Sequence, residues 1–185
     1  MSLDNYNKYI SCLVDTVKKI DLQKVYLLST SLQEAWHNNK QVFICGNCGS
    51  AANAMHIAND LFYGIAKKSG NGIRVNALPS NPSVLTCLAN DISYKDIFSH
   101  QLRVLGQKGD ILIAFSGSGD SPNIIRAIEA AKGMKIKSFA ILGYSGGKGL
   151  DLADVAIHFY VEDMQVAEDM QLNSRPYGDA VVKRQ

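Results

Sequence analysis

Apolar positions in the first forty residues recur at helical spacing. Tyr9, Leu13, Val17 and Ile20 share one face, and Val25, Leu28, Leu32 and Trp36 continue three or four residues apart, which predicts two amphipathic helices. The period then changes. Residues 41–45 (QVFIC) form a short apolar, β-rich run that ends in Gly46-Asn47-Cys48-Gly49-Ser50, and AANAMHIANDLFYGIAK after it is helix-forming. Residues 73–78 (IRVNAL) predict a second strand, SVLTCLAND the helix that follows, and YKDIFSHQL another. ILIAFS at 111–116 is the near-continuous apolar run of a strand buried on both faces, and it leads into SGSGDS at 116–121. Pro122 stands where a helix can open, with NIIRAIEAAKGM behind it. KSFAIL, a glycine-rich turn from Gly143 to Gly149, a short helix LDLAD, the strand VAIHFYV and a helix starting near Asp163 complete the pattern. Strands alternating with helices predict an α/β domain with a parallel sheet and helices on both faces.

Composition narrows this picture. With 185 residues, 46% hydrophobic and 19% charged, the chain has room for one sizeable core, hence a single domain. The formal charge of +2 is not gathered into basic runs, so neither nucleic acid nor an anionic membrane is an expected partner. MSLDNYNKYISCLVDTVKKIDL has no basic segment followed by an apolar one, and no apolar stretch approaches the roughly 18–20 residues that span a bilayer. A cytoplasmic location is expected. Cys12, Cys45, Cys48 and Cys87 suit reduced thiols there. Cys45 and Cys48 have CxxC spacing, but no second pair of soft ligands follows, and Gly49-Ser50 intervenes before the helix, so a zinc or redox site is disfavoured.

The chemistry concentrates in the two glycine-and-serine loops, at 46–50 and 116–121. In a parallel sheet both emerge at the carboxyl edge of their strands, where ligands bind. Glycines let the backbone come close to a phosphate, helix-start N–H groups carry partial positive charge, and the hydroxyls of Ser116, Ser118 and Ser121 add neutral donors. Neither loop is a GxxxxGK[ST] or GxGxxG motif, and each taken alone also reads as an ordinary glycine turn.

Three segments carry a wider likeness: GNCGSAANAMHIANDL at 46–61, LTCLANDISYKDIFSHQLRVLGQKGDILIAFSGSGDSPNIIRAIEAA at 85–131, and EDMQVAEDMQL at 162–172. In this order they resemble the sugar isomerase (SIS) domain family and, within it, the phosphoheptose isomerases. The resemblance covers residues 1 to about 172 and implies a single SIS domain, a five-stranded parallel sheet flanked by helices with the N-terminal helical pair, leaving 173–185 as an aberrant tail. It implies sugar-phosphate contacts at Asn47, Cys48, Gly49, Ser50, Asn90, Asp91, Ser116, Gly117, Ser118, Ser121 and Glu168. Cys48 stands where glycine is more usual, and Gly117 where a larger polar side chain is. The implied reaction is ketose-to-aldose isomerisation of sedoheptulose 7-phosphate to a manno-heptose 7-phosphate, for heptose biosynthesis in a lipopolysaccharide core or capsule. It asks for a base that moves a proton from C1 to C2, an acid between the two oxygens, and groups that hold the enediolate. The resemblance places catalysis on Asp60, in place of the usual glutamate base, and on Glu168, where a glutamine is common, and a zinc ion on His56, Asp60 and Glu168. His56 and Asp60, four apart, share a helix face, a spacing equally common on plain surface helices. His37 and His158 read as structural, whereas His100 is a candidate to reach a neighbouring subunit's site.

The tail departs from this pattern. The family's last helix carries a histidine eight residues after position 168, where this chain has Pro176, and Asn173, Ser174 and Gly178 are weak helix formers, so the helix is expected to stop near 174. Codons permitted for NSRPYGDAVVKRQ, read one base later, spell IVGHMVMQWLKD, an amphipathic helix with histidine at that place. A frameshifted end is therefore expected, and weak or absent turnover with it; coding DNA incompatible with that helix would end the idea. Two other readings remain open: a non-catalytic SIS protein that binds a sugar phosphate and regulates or scaffolds a partner, and an isomerase of a pentose or hexulose phosphate. The apolar faces with Tyr9, Leu13, Val25, Leu28 and Trp36 predict a homo-oligomer, and the resemblance favours a tetramer with sites between subunits.

Overall fold

The structure, a computed structural model, describes residues 3–174. Helices α1 (Leu3–Lys18) and α2 (Leu22–His37) precede the first strand, β1 (Gln41–Cys45). The chain continues through α3 (Cys48–Asn59), a π-helical turn at Asp60–Gly64, α4 (Ile65–Ser69), β2 (Arg74–Ala77), α5 (Pro82–Asp91) and α6 (Ser99–Leu105). Then come β3 (Ile111–Ser116), α7 (Pro122–Met134), β4 (Lys137–Leu142), α8 (Gly149–Leu152), β5 (Val155–His158) and α9 (Met164–Asn173). All strand pairs are parallel, in the order β2-β1-β3-β4-β5, as expected of a single α/β domain of this family.

Alternation along the strands sorts the core into two layers. Val42, Ile44, Ile113, Phe115 and Phe139 face Leu28, Leu32, Ile57, Val166 and Met170 from α2, α3 and α9. Phe43, Cys45, Leu112 and Ala114 face Ile97, Phe98, Leu102, Ile124 and Ile128 on the other side. Every residue of β3 is buried, the outcome its unbroken apolar run predicts. Two carboxylates fasten the amino edge of the sheet: Asp110 accepts from the N–H of Gln41 (3.0 Å) and of Gln107 (2.7 Å), and Asp154 accepts from the N–H and hydroxyl of Ser138 (both 2.8 Å). The carboxyl edge is left open for ligand.

Several local expectations are corrected. The helix after β1 starts at Cys48, inside the glycine loop, because Asn47 is already extended (φ −108°, ψ 153°) and small residues fill the first turn. The same helix is interrupted at 60–64, where the Leu61 carbonyl accepts from the Ile73 N–H (3.1 Å) and Gly72 packs on the Phe62 carbonyl; the ladder widens to a π turn there. YKDIFSHQL is a short 3₁₀ turn at Tyr94–Asp96, opened by Ser93 accepting from the Lys95 N–H (3.2 Å), and then α6. The N-terminal pair forms as expected, but Tyr9, Leu13, Val25 and Trp36 pack partly buried on the core and Leu28 fully so. A second stripe of α1, Leu3, Tyr6, Ile10, Val14 and Val17, is the exposed one. Helix α9 ends at Asn173 with Ser174 as its cap, and Pro176 with the rest of the tail lies outside the described residues.

Candidate active site

The chain leaves β1 toward β2 on one side and β3 toward β4 on the other, so a crevice opens between the carboxyl ends of β1 and β3. The two glycine loops form its walls. In the first, Cys48 adopts φ +51° and turns the backbone into α3. A Cβ on Gly49 would lie 2.1 Å from Glu168 Oε2, so only glycine lets the α9 carboxylate settle on the start of α3. Ser50 is buried, and its hydroxyl accepts from Gln171 Nε2 at 2.9 Å.

In the second loop Ser116 is buried and accepts from the Gly119 N–H (3.0 Å), while exposed Ser118 accepts from the Asp120 N–H (3.3 Å). Accepting leaves each hydroxyl proton to donate. Ser121 opens α7 with no side-chain capping bond. Gly117 lies beneath Met164, whose sulfur would be 2.5 Å from a Cβ there; the thioether occupies the space a larger side chain at 117 would need.

A reciprocal amide pair ties the loops together. Asn47 Nδ2 donates to Asn123 Oδ1 (2.9 Å), Asn123 Nδ2 donates to Asn47 Oδ1 (2.8 Å), and the Tyr94 hydroxyl donates to the same Asn47 oxygen (3.3 Å). The Asn47 side chain is therefore a clamp as much as a ligand contact. Tyr94 follows the end of α5, where Asn90 Nδ2 donates to Asp91 Oδ1 (2.7 Å) and Cys87 Sγ donates to Asp91 Oδ2 (3.5 Å); among the described residues no hydrogen bond ties Asn90 or Asp91 to the glycine loops. That carboxylate raises the Cys87 thiol pKa.

His56 Nε2 near the end of α3 and Asp60 Oδ2 at the first residue of the π turn are 3.5 Å apart, both about half exposed. Glu168 does not join them within one subunit. It stands at Gly49, seven residues before His56, or about 10 Å along the helix axis at 1.5 Å per residue. Among the described residues no three His, Cys, Asp or Glu side chains converge as a metal ion would need. The expected zinc set His56, Asp60 and Glu168 is thus not brought together within this chain. Cys45 is buried in the core, which pushes its thiol pKa far up, whereas Cys48 is exposed, so the CxxC pair is not poised as a dithiol. His158 Nε2 lies 2.9 Å from the Tyr144 carbonyl oxygen, in keeping with a structural role. A cavity of about 20 Å³ under α3, lined by Leu28, Leu32, Ile57 and Leu61 with Asp60 and Gln171, holds about one water and is too small for a sugar phosphate.

Asn53, Tyr94, Asn123, Met164 and Gln171 belong to the site and were not among the residues expected there. For Gln171 a signal exists: it occupies an inward position of α9 beside Ala167 and Met170, where an amide is out of place unless it has a partner. For Asn123 and Tyr94 no local pattern points to the first loop.

An α/β domain whose switch point carries two glycine loops at helix starts has the architecture of a ligand-binding crevice suited to a phosphate. The SIS domain profile matches residues 5–143. A phosphoheptose isomerase from a Nitratiruptor species is 43% identical over 133 residues, covering 72% of this chain and 71% of that protein. The solved phosphoheptose isomerase GmhA from Neisseria gonorrhoeae superposes with TM-score 0.83 at 26% identity, over 92% of this chain and 90% of that one. A phosphoheptose isomerase from Francisella tularensis shares the fold over 100% of both chains, with TM-score 0.90 at 23% identity. The chain belongs to the SIS domain family and, within it, to the phosphoheptose isomerases, and its enzyme class is aldose–ketose isomerase. No described helix is long and apolar enough to cross a membrane.

Proposed function

We propose that this chain binds sedoheptulose 7-phosphate in the β1/β3 crevice and interconverts it with manno-heptose 7-phosphate, as a cytoplasmic enzyme of heptose biosynthesis. The observation that carries the reading is the Glu168 carboxylate seated on Gly49 at the start of α3, while Ser121 at the start of α7 makes no side-chain capping bond. The carboxylate repels phosphate from the first helix end, so phosphate goes to Ser116, Ser118 and Ser121 and the C1–C2 end of the sugar to Gly49 and Glu168. A carboxylate there takes the C1 proton and returns it to C2 while the O1 proton passes to O2, and the α3 N–H groups hold the enediolate oxygen.

His56 lies further along α3 and Asp60 just past its end. In a homotetramer with sites between subunits they serve a neighbour's crevice, as acid–base pair or as ligands of the expected zinc. Turnover is weak because Pro176 stands where the family has a histidine. The test is a coupled assay with sedoheptulose 7-phosphate beside phosphosugar thermal shifts. Slow turnover that Glu168→Gln abolishes, and stabilisation that Ser121→Ala reduces, support the reading. Stabilisation with no turnover in any preparation favours the non-catalytic, sugar-phosphate-binding alternative, and greater turnover of a pentose or hexulose phosphate overturns the substrate.

A further inference from the structure

Glu168 is held from two sides by groups that neither the resemblance nor the phosphate chemistry assigns. On the inner side, Asn53 Nδ2 of α3 donates to the Glu168 carbonyl (2.9 Å) and to Gln171 Oε1 (3.0 Å), while Gln171 Nε2 donates to Ser50 Oγ (2.9 Å). Gln171 is 1% exposed, so its bond to Ser50 is shielded from water and costly to leave unmade, while the two Asn53 bonds are part-buried. On the outer side, the Tyr9 hydroxyl of α1 donates to Asp169 Oδ2, one residue from Glu168. Two helices, α1 and α3, thus converge on one turn of α9.

We propose that Asn53, Gln171 and Tyr9 are positioning residues that fix the Glu168 carboxylate at Gly49, so that α9 meets the sugar in one register. The kinetic part of this inference rests on the isomerase reading above; the structural part does not. The backbone of Glu168, not its side chain, is what Asn53 grips, so the carboxylate remains available for a proton. Displacement of a reacting group by about 1 Å costs on the order of a hundredfold in rate, which makes such a grip consequential. The carboxylate of Asp169 raises the Tyr9 pKa from 10.0 to about 12. The Tyr9 proton therefore stays in place across the neutral range, and the bond weakens only as the pH rises from 10.0 toward about 12.

The experiment uses the full chain with three variants. Tyr9→Phe removes one hydroxyl, Asn53→Ala removes the inner grip at a half-buried position, and Gln171→Leu removes the shielded amide. Each is assayed for kcat and KM and crystallised to locate the Glu168 carboxylate, with Ser50→Ala and Ser50→Thr as a pair that deletes and restores the hydroxyl accepting from Gln171. The expected result is a tenfold or larger fall in kcat for Asn53→Ala and a several-fold fall for Tyr9→Phe, with KM within twofold because the phosphate seat is untouched. The carboxylate should be displaced from Gly49 in Asn53→Ala, and Ser50→Thr should recover the activity that Ser50→Ala loses. An unmoved carboxylate in Asn53→Ala and Tyr9→Phe overturns the inference, as does a fall in kcat matched by an equal rise in KM. If the parent chain turns over no phosphosugar, the isomerase reading fails while the carboxylate positions still decide this one.

Discussion

At Gly49 the site depends on the absence of a side chain. Gly49→Ala places a methyl group on the Glu168 carboxylate. Isomerase turnover should fall on the order of a hundredfold while the phosphosugar still stabilises the protein in a thermal-shift assay, because the phosphate seat is separate. Unchanged turnover would show that Glu168 does not act from this position. Cys48 presents the opposite case, a side chain where glycine fits better. Its φ of +51° costs an L-residue about 1–2 kcal/mol, of which glycine gives back about 0.5–1 in unfolded-chain entropy. Cys48→Gly should therefore leave the melting temperature unchanged or raise it by about 2–4 °C, with phosphosugar binding intact. A drop in melting temperature would mean that the thiol makes contacts worth more than the strain. The glycine and serine positions were legible in the sequence because loop chemistry is local. The partners of those residues were not: Asn47 meets Asn123 and Gly49 meets Glu168 only once the sheet is assembled.

Among the elements, the strands and most helices followed from periodicity alone, and β3 with its six buried residues is the clearest case. What periodicity could not foresee is interruption by tertiary contact. The π turn at Asp60–Gly64 exists because Ile73 takes the Leu61 carbonyl, a partner twelve residues away. The link between α6 and α7 is electrostatic: Arg126 donates to Asp96 Oδ2 at 2.5 Å, and Arg103 lies 3.6 Å from Oδ1. Arg126 holds the Asp96 carboxyl below its ordinary value of 3.8, with help from Ser99 and Arg103. A lowered carboxyl stabilises the fold above its ordinary value and loses that contribution as the pH falls through the lowered one. Arg126→Met should thus be less stable than the parent at neutral pH, and the gap in denaturant midpoint should close below pH 3.8. A gap that stays constant from neutral pH down into the acid range would remove the charge from the explanation.

Over the whole molecule, the apolar surface and the site belong to one problem. Leu3, Tyr6, Ile10, Val14 and Val17 along α1, Leu22 and Tyr26 on α2, and Phe62 and Tyr63 beside Asp60 are all exposed in the single chain. Surface of that extent is normally covered by another copy. The proposed oligomer predicts that replacing Ile10 and Val14 together by glutamate shifts the species seen in sedimentation toward monomer, and the proposed role of His56 and Asp60 in a neighbour's crevice predicts lower turnover with it. An unchanged oligomer would place the interface elsewhere. The sequence already indicated that the N-terminal helices carry more apolar surface than the sheet requires. It did not distinguish the stripe that faces the core from the one that faces outward, because both stripes keep helical spacing and only packing separates them. The most direct test of the central claim is a phosphorus and proton NMR titration of the full chain with sedoheptulose 7-phosphate in heavy water. The account predicts a perturbed phosphate resonance that Ser121→Ala weakens, followed by slow appearance of the aldose, its C2 carrying the transferred C1 hydrogen or solvent deuterium, that Glu168→Gln prevents. An unperturbed phosphate resonance and no aldose at saturating sugar would contradict it.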